Sequence, residues 1–146
     1  MKILFIKLGA LGGVLRATPF FTGLKQKYPK CELYVLTKKA SFDLLENNLD
    51  INKLFFWEEN RKNLEKIFFD WIINTEDDEE TCKFALTLKT QKFTGPYIKN
   101  DKITYTKDVA IWYDTGKIYR FGLAKANELK IRIILQKKFY TFWYRM

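Results

Sequence analysis

An α/β fold, a parallel sheet flanked by helices, is what this sequence predicts, and three observations predict it. Ile3-Leu4-Phe5-Ile6 is a continuous apolar run, as carried by strands buried on both faces. A glycine-rich turn, Gly9-Ala10-Leu11-Gly12-Gly13, follows at once, and after it apolar residues recur at helical spacing. Short strand-like and helix-like stretches then alternate as far as Gly95, the pattern of parallel strands joined by helices that lie on the sheet faces.

Taken in order, residues 2–7 form the first strand, and their apolar character places it centrally in the sheet. Val14, Leu15, Phe20, Phe21 and Leu24 mark a helix that ends at Lys27-Tyr28-Pro29. Within it, Thr18-Pro19 is either a cap and first helical position or a kink in one longer helix. Glu32–Thr37 is the second strand. Residues 41–46 are a short helix with Ser41 as N-cap, and residues 53–57 are the third strand. Residues 63–68 are helical and residues 70–74 are the fourth strand. The acidic turn 76–80 then leads a helix through Leu88, its carboxylates complementing the positive end of the helix dipole. Residues 92–97 are the fifth strand, stopped by Gly95-Pro96. Asn100-Asp101 reads as a hairpin turn between Tyr97-Ile98 and Ile103-Thr104-Tyr105. Residues 109–130 follow as a helix, with Trp112, Tyr119, Leu123, Ala126 and Leu129 on one face. Residues 131–146 match neither period and are expected to contribute little to the fold. Parallel sheets bind ligands beyond the carboxyl ends of their strands, so the informative loops are 8–13, 37–41 and 74–79.

A chain of 146 residues suits one domain. It has no histidine, which removes imidazole acid–base chemistry, His metal sites and every Ser-His or Cys-His nucleophile pair. Cys31 and Cys82 lie far apart and form no CxxC or metal spacing, so they read as two buried, reduced thiols. The apolar start is interrupted by Lys7 and lacks the form of a signal peptide. No stretch approaches the ~20 apolar residues that a membrane span requires. The expectation is a cytoplasmic protein, at most peripheral at the inner membrane. Charge is uneven: residues 1–98 carry 15 basic and 13 acidic side chains, residues 99–146 carry 11 and 4. A basic tail suits an anionic surface or a phosphorylated substrate, and it suits equally a solvated, lysine-rich exterior.

The strongest local signal for chemistry is the strand–glycine loop–helix at residues 7–16. Glycines let the backbone approach a ligand closely, and the amides at a helix start favour an anion. The spacing is neither GxGxxG nor a phosphate loop with a Gly-Lys-Ser/Thr ending, so the loop reads as a binding site or as plain strand-to-helix geometry. Lys7 and Arg16 flank it. They are candidates for a phosphorylated sugar, with a solvated strand end as the other reading of Lys7. Gly12 and Gly13 are the candidate positions for close backbone approach. Asp77 and Asp78 follow the fourth strand and are candidates for substrate hydroxyls, or serve only to cap the next helix. Trp112, Tyr113 and the aromatics of 139–144 could stack on sugars or bases, or simply pack.

The stretch ILFIKLGALGGVLRATPFFTGLKQKYP, residues 3–29, closely resembles the opening of family 9 glycosyltransferases, the ADP-heptose:lipopolysaccharide heptosyltransferases. The family pattern is an apolar strand, K, small residues, L-G-D-V and a T-P-x-x-x-x-L-K-x-x-Y-P helix. The resemblance extends through Glu32–Thr37, through FDWIINTEDDEET (residues 69–81), through Lys92-Phe93-Thr94-Gly95 and to RFGLAKANELK, covering about residues 1–130. It implies a Rossmann-like domain, residues 1–130, corresponding to the N-terminal, acceptor-side half of a GT-B glycosyltransferase, with residues 131–146 an irregular tail and the donor-binding half absent. It implies inverting sugar transfer with no essential metal and no cofactor, a nucleotide-sugar donor such as ADP-heptose serving as substrate. The acceptor would be lipopolysaccharide or another envelope glycan.

Two departures stand out. The loop acid that the family is thought to use as general base is replaced by Gly13, and losing such a base typically costs ~10²–10⁴ in rate. The family register also ends after Lys130, where a change of reading frame would account for the basic, aromatic tail. The sequence therefore predicts a glycosyltransferase fragment that is inactive alone, assisted by a separate donor-binding half as partner. A non-catalytic glycan-binding or partner-assembly module is the alternative from another class. A basic binder of nucleic acid or a membrane surface is the third reading, with nucleic acid the less favoured target.

Overall fold

A computed structural model describes residues 1–109. The chain divides into two units, residues 1–104 and 105–146. Beyond Val109, the expected helix at 109–130 and the tail at 131–146 lie outside the described residues.

The first unit is built on a five-stranded sheet in the order β3-β2-β1-β4-β5, every pairing parallel. The strands are β1 (Lys2–Ile6), β2 (Glu32–Thr37), β3 (Lys53–Phe56), β4 (Phe68–Asn74) and β5 (Lys89–Thr94). β1 is central, as its apolar run predicts, with Ile3, Leu4, Phe5 and Ile6 essentially solvent-free. On one face, Phe5 meets Phe21 of α1 (Leu11–Lys27) edge-on at 5.2 Å between ring centroids. Leu4 and Ile6 join Tyr34, Leu36, Ile72, Phe69 and the buried Ala85 of α3 (Glu79–Thr87) in a second apolar layer. A sheet covered on both sides has no polar face to give away, so its strands read as solid apolar runs.

α1 continues unbroken through Pro19, so Thr18-Pro19 lies inside one helix and does not start a second. Proline has no N–H for the Leu15 carbonyl one turn back. The Thr18 hydroxyl donates to that carbonyl instead, at 2.9 Å.

Several boundaries differ from expectation, each for a physical reason. Residues 39–46 are a 3₁₀ turn, Lys39–Ser41, running into the single turn α2 (Phe42–Leu45). Ser41 stands at the N-cap but its side chain makes no cap bond: it is buried, and its backbone is turned (ψ 6°) rather than extended. The helical stretch expected at 63–68 is a 3₁₀ segment, Arg61–Lys66, and β4 opens two residues early with the exposed Phe68. β3 ends at Phe56, although the Trp57 amide still donates to the Thr37 carbonyl.

The largest shift is β5, which spans Lys89–Thr94 rather than 92–97. Its first residues are polar because it is an edge strand, so hydrophobicity gives no signal there. It ends where Gly95 adopts φ +126°, and a Cβ at that position would stand 2.0 Å from the Asn74 carbonyl oxygen. The chain leaves the sheet and forms the hairpin of β6 (Pro96–Lys99) and β7 (Lys102–Tyr105). Asn100 and Asp101 take φ 52° and 56°, the left-handed pair that a tight two-residue hairpin turn requires.

Candidate functional site

The strand order places the candidate site. From β1 the chain moves outward to β2 and β3, and then returns to the other side of β1 for β4 and β5. The topology therefore switches direction between β1 and β4, and in open α/β sheets the crevice at the carboxyl ends of such strands is where ligands bind. Two loops border it here: residues 7–10 after β1, and residues 75–78 after β4.

Those loops are joined by a residue the sequence does not single out. Glu76 projects its carboxylate into the glycine loop, where Oε1 accepts from Lys7 Nζ at 2.6 Å, from the Leu8 amide at 2.9 Å and from the Gly9 amide at 3.1 Å. Both partners of the ion pair are mostly shielded, with 19% and 14% of the Lys7 and Glu76 side chains exposed. Gly9 makes room for this: a Cβ there would lie 3.0 Å from Lys7 Nζ and within 3.6 Å of both Glu76 oxygens.

Glu76 is held from behind. The buried Asn74 side chain forms a reciprocal pair with the Glu76 backbone, its Oδ1 accepting from the Glu76 amide and its Nδ2 donating to the Glu76 carbonyl, both at 3.1 Å. Nδ2 also reaches the Pro96 carbonyl at 2.9 Å, tying the loop to the hairpin. The Thr75 amide and hydroxyl both donate to the Ile6 carbonyl, stitching the two strand ends together. The Cys82 thiol donates to the Glu76 carbonyl at 3.5 Å. Burial, assisted by the nearby charges of Asp78 and Asp77, pushes that thiol up to about 11, so it remains protonated at neutral pH.

Lys7 and Gly13 come together with Glu76. A Cβ on Gly13 would stand 3.2 Å from Lys7 Cε, so the space that an acid at position 13 would enter is bordered by the lysine. Gly12 lies exposed in the first turn of α1 and would admit a Cβ with nothing within 4 Å. Arg16 is exposed on α1, and Asp77 is exposed in the β4–α3 loop. Asp78 is the N-cap of α3, its Oδ1 accepting from the Thr81 amide at 2.9 Å, which is the capping role its position suggests. At the carboxyl end of β2, the fully buried Thr37 hydroxyl has no hydrogen-bond partner among the described residues. Among the described residues, no helix is long and apolar enough to cross a membrane.

The fold is a Rossmann-like parallel sheet flanked by helices, the fold that the sequence resemblance implies, and it is similar to that of solved glycosyltransferases. Three solved structures share it. Heptosyltransferase WaaC of E. coli with ADP-2-deoxy-2-fluoro heptose has a TM-score of 0.58 at 13% identity, over 65% of this chain and 36% of that one. E. coli ADP-heptose lps heptosyltransferase II has a TM-score of 0.58 at 22% identity, over 65% and 30%. The glycosyl transferase family 9 protein of Veillonella parvula has a TM-score of 0.57 at 24% identity, over 64% and 31%. The match thus spans about a third of the length of each of these proteins. No protein-family model and no curated protein sequence matches the chain.

Proposed function

We propose that this chain is the acceptor-side half of a nucleotide-sugar-dependent glycosyltransferase of the heptosyltransferase kind. In this reading it presents an envelope glycan of the lipopolysaccharide type to a donor such as ADP-heptose, on the cytoplasmic side of the membrane. The donor is held by a second half that the described residues do not include. The observation that carries the reading is the coincidence of two features. A five-stranded sheet of heptosyltransferase topology is opened by a glycine loop and a Thr-Pro helix at residues 7–29 that resemble the start of family 9 enzymes.

The reaction would join an acceptor hydroxyl oxygen to the anomeric carbon as the bond from that carbon to the nucleotide's phosphate oxygen breaks. The hydroxyl proton must pass to a base; Gly13 offers no carboxylate to take it, and a missing base costs ~10²–10⁴ in rate. The purified chain, given ADP-heptose and a lipopolysaccharide acceptor, is therefore expected to show no transfer above a buffer control. Transfer should appear when a donor-binding half, encoded in any frame downstream of codon 130, is added. Robust transfer by the chain alone, or a donor half that neither binds the chain nor restores transfer, would overturn the proposal.

A further inference from the structure

We propose that Glu76 determines what the glycine loop admits, because its carboxylate occupies the cradle that a phosphate group would need. The inference rests on loop geometry alone and stands whether or not the chain takes part in sugar transfer.

A phosphate settling at the end of β1 would draw on three kinds of donor: backbone amides of the loop, a nearby cation and the open start of α1. The first two are already engaged. The Leu8 and Gly9 amides and Lys7 Nζ converge on one oxygen of Glu76, at 2.9, 3.1 and 2.6 Å. An amide N–H has one hydrogen to give, so a phosphate oxygen can use these two amides only by displacing the carboxylate. A second negative charge brought beside Glu76 without displacing it would be repelled, and the small exposure of both side chains leaves little water to screen that repulsion.

Displacement is opposed from behind. Glu76 does not swing on a free loop: its backbone is locked by both ends of the Asn74 amide, and its neighbour Thr75 is bonded twice to Ile6. The carboxylate therefore belongs to the resting architecture of the crevice. Lys7, which from its position alone suits a phosphorylated ligand, is committed to an internal partner. A Cβ at position 9 would touch both Glu76 oxygens at 3.5 and 3.6 Å and crowd Lys7 Nζ at 3.0 Å, so Gly9 lies against the ion pair. Besides the open start of α1, the loop offers an incoming ligand Glu76 Oε2, which has no protein partner among the described residues and can accept from a hydroxyl.

The test follows the Leu8 and Gly9 backbone amides by NMR in the full chain during titration with inorganic phosphate. The wild type is expected to show no saturable shift at either amide. Glu76→Ala, with its spectrum confirming a retained fold, is expected to show saturable shifts at both and affinity at least about tenfold above any wild-type response, a change of ~1.4 kcal/mol. Saturable phosphate binding at these amides in the wild type would overturn the proposal. So would a folded Glu76→Ala that does not bind, because Glu76 would then be only a structural tie. If Glu76→Ala fails to fold, Glu76→Ser keeps a polar side chain too short to reach the two amides. A folded Glu76→Ser with no gain in phosphate binding over the wild type overturns the proposal equally.

Discussion

Two lysine–glutamate pairs bridge loops at the carboxyl edge of this sheet, and they are alike only in name. Lys7–Glu76 joins the loops after β1 and β4, with side chains 19% and 14% exposed and two backbone amides sharing the carboxylate. Lys39–Glu59 joins the loops after β2 and β3, with side chains 68% and 45% exposed. Glu59 holds the Lys39 ammonium above its ordinary range through its hydrogen bond and its charge. Water and salt compete for such an exposed pair, and pairs of this kind contribute little to stability. The half-buried pair differs because removing Glu76 strands Lys7 along with two amides, and removing Lys7 strands a shielded carboxylate, away from full hydration. What makes an ion pair matter here is its shielding and the backbone it satisfies, together with the charges it joins.

The greatest disturbance is expected from beneath the inner pair. Gly95→Ala would place a methyl group 2.0 Å from the Asn74 carbonyl while forcing alanine to φ +126°. The dihedral strain alone is worth ~1–3 kcal/mol, and the clash adds to it. Thermal unfolding should show a large loss of stability, accompanied by shifts at the Glu76 amide. An unchanged midpoint would mean that Asn74 does not brace the loop.

Next comes Glu76→Ala, which leaves Lys7 and the Leu8 and Gly9 amides without their acceptor. The expected loss is about 1–3 kcal/mol in denaturant unfolding. Asp78→Ala should cost ~0.5–2 kcal/mol by removing the cap bond to Thr81, and it should leave the glycine-loop amides where they are.

The Cys82 thiol provides a pH test of the same region. Burial raises it from 9.0 to about 11, so the folded state favours the protonated form. Its contribution is complete below 9.0 and is lost as pH rises toward 11. Relative to Cys82→Ala, the wild type should lose stability progressively across that alkaline window; parallel curves would show that the thiol is not buried in solution. The smallest effect is expected at the outer pair, where Glu59→Ala should leave the unfolding midpoint unchanged within error.

The sequence made the fold legible where burial was two-sided. Ile3–Ile6 and Leu33–Leu36 announce strands because their side chains are buried and overwhelmingly apolar, and β2 falls at its predicted bounds. Legibility failed at the edge, where β5 begins in Lys89-Thr90-Gln91 and its end is fixed by a glycine touching Asn74, a contact across the sheet. The candidate site was half legible. The glycine loop and Lys7 were visible as local pattern, and Asp78 as a cap. Glu76 lay in plain view within an acidic run, but which of five successive acids turns inward depends on Asn74 pairing with its backbone. That pairing is local, but the partners that receive the carboxylate, Lys7 and the Leu8 and Gly9 amides, lie 67 to 69 residues away and are brought to it by the parallel alignment of β1 with β4, which no local spacing encodes. The one available hint was the excess itself, since capping α3 needs only one of the five.

The most direct test of the central claim, that Glu76 anchors the glycine loop at the sheet's switch point, is a pair of double-mutant cycles run side by side. One pairs Lys7→Ala with Glu76→Ala, the other Lys39→Ala with Glu59→Ala, each read by denaturant unfolding. The inner cycle should give a coupling on the order of 1 kcal/mol or more, and the outer cycle none that can be resolved. Equal couplings, or a larger one for the outer pair, would contradict the account.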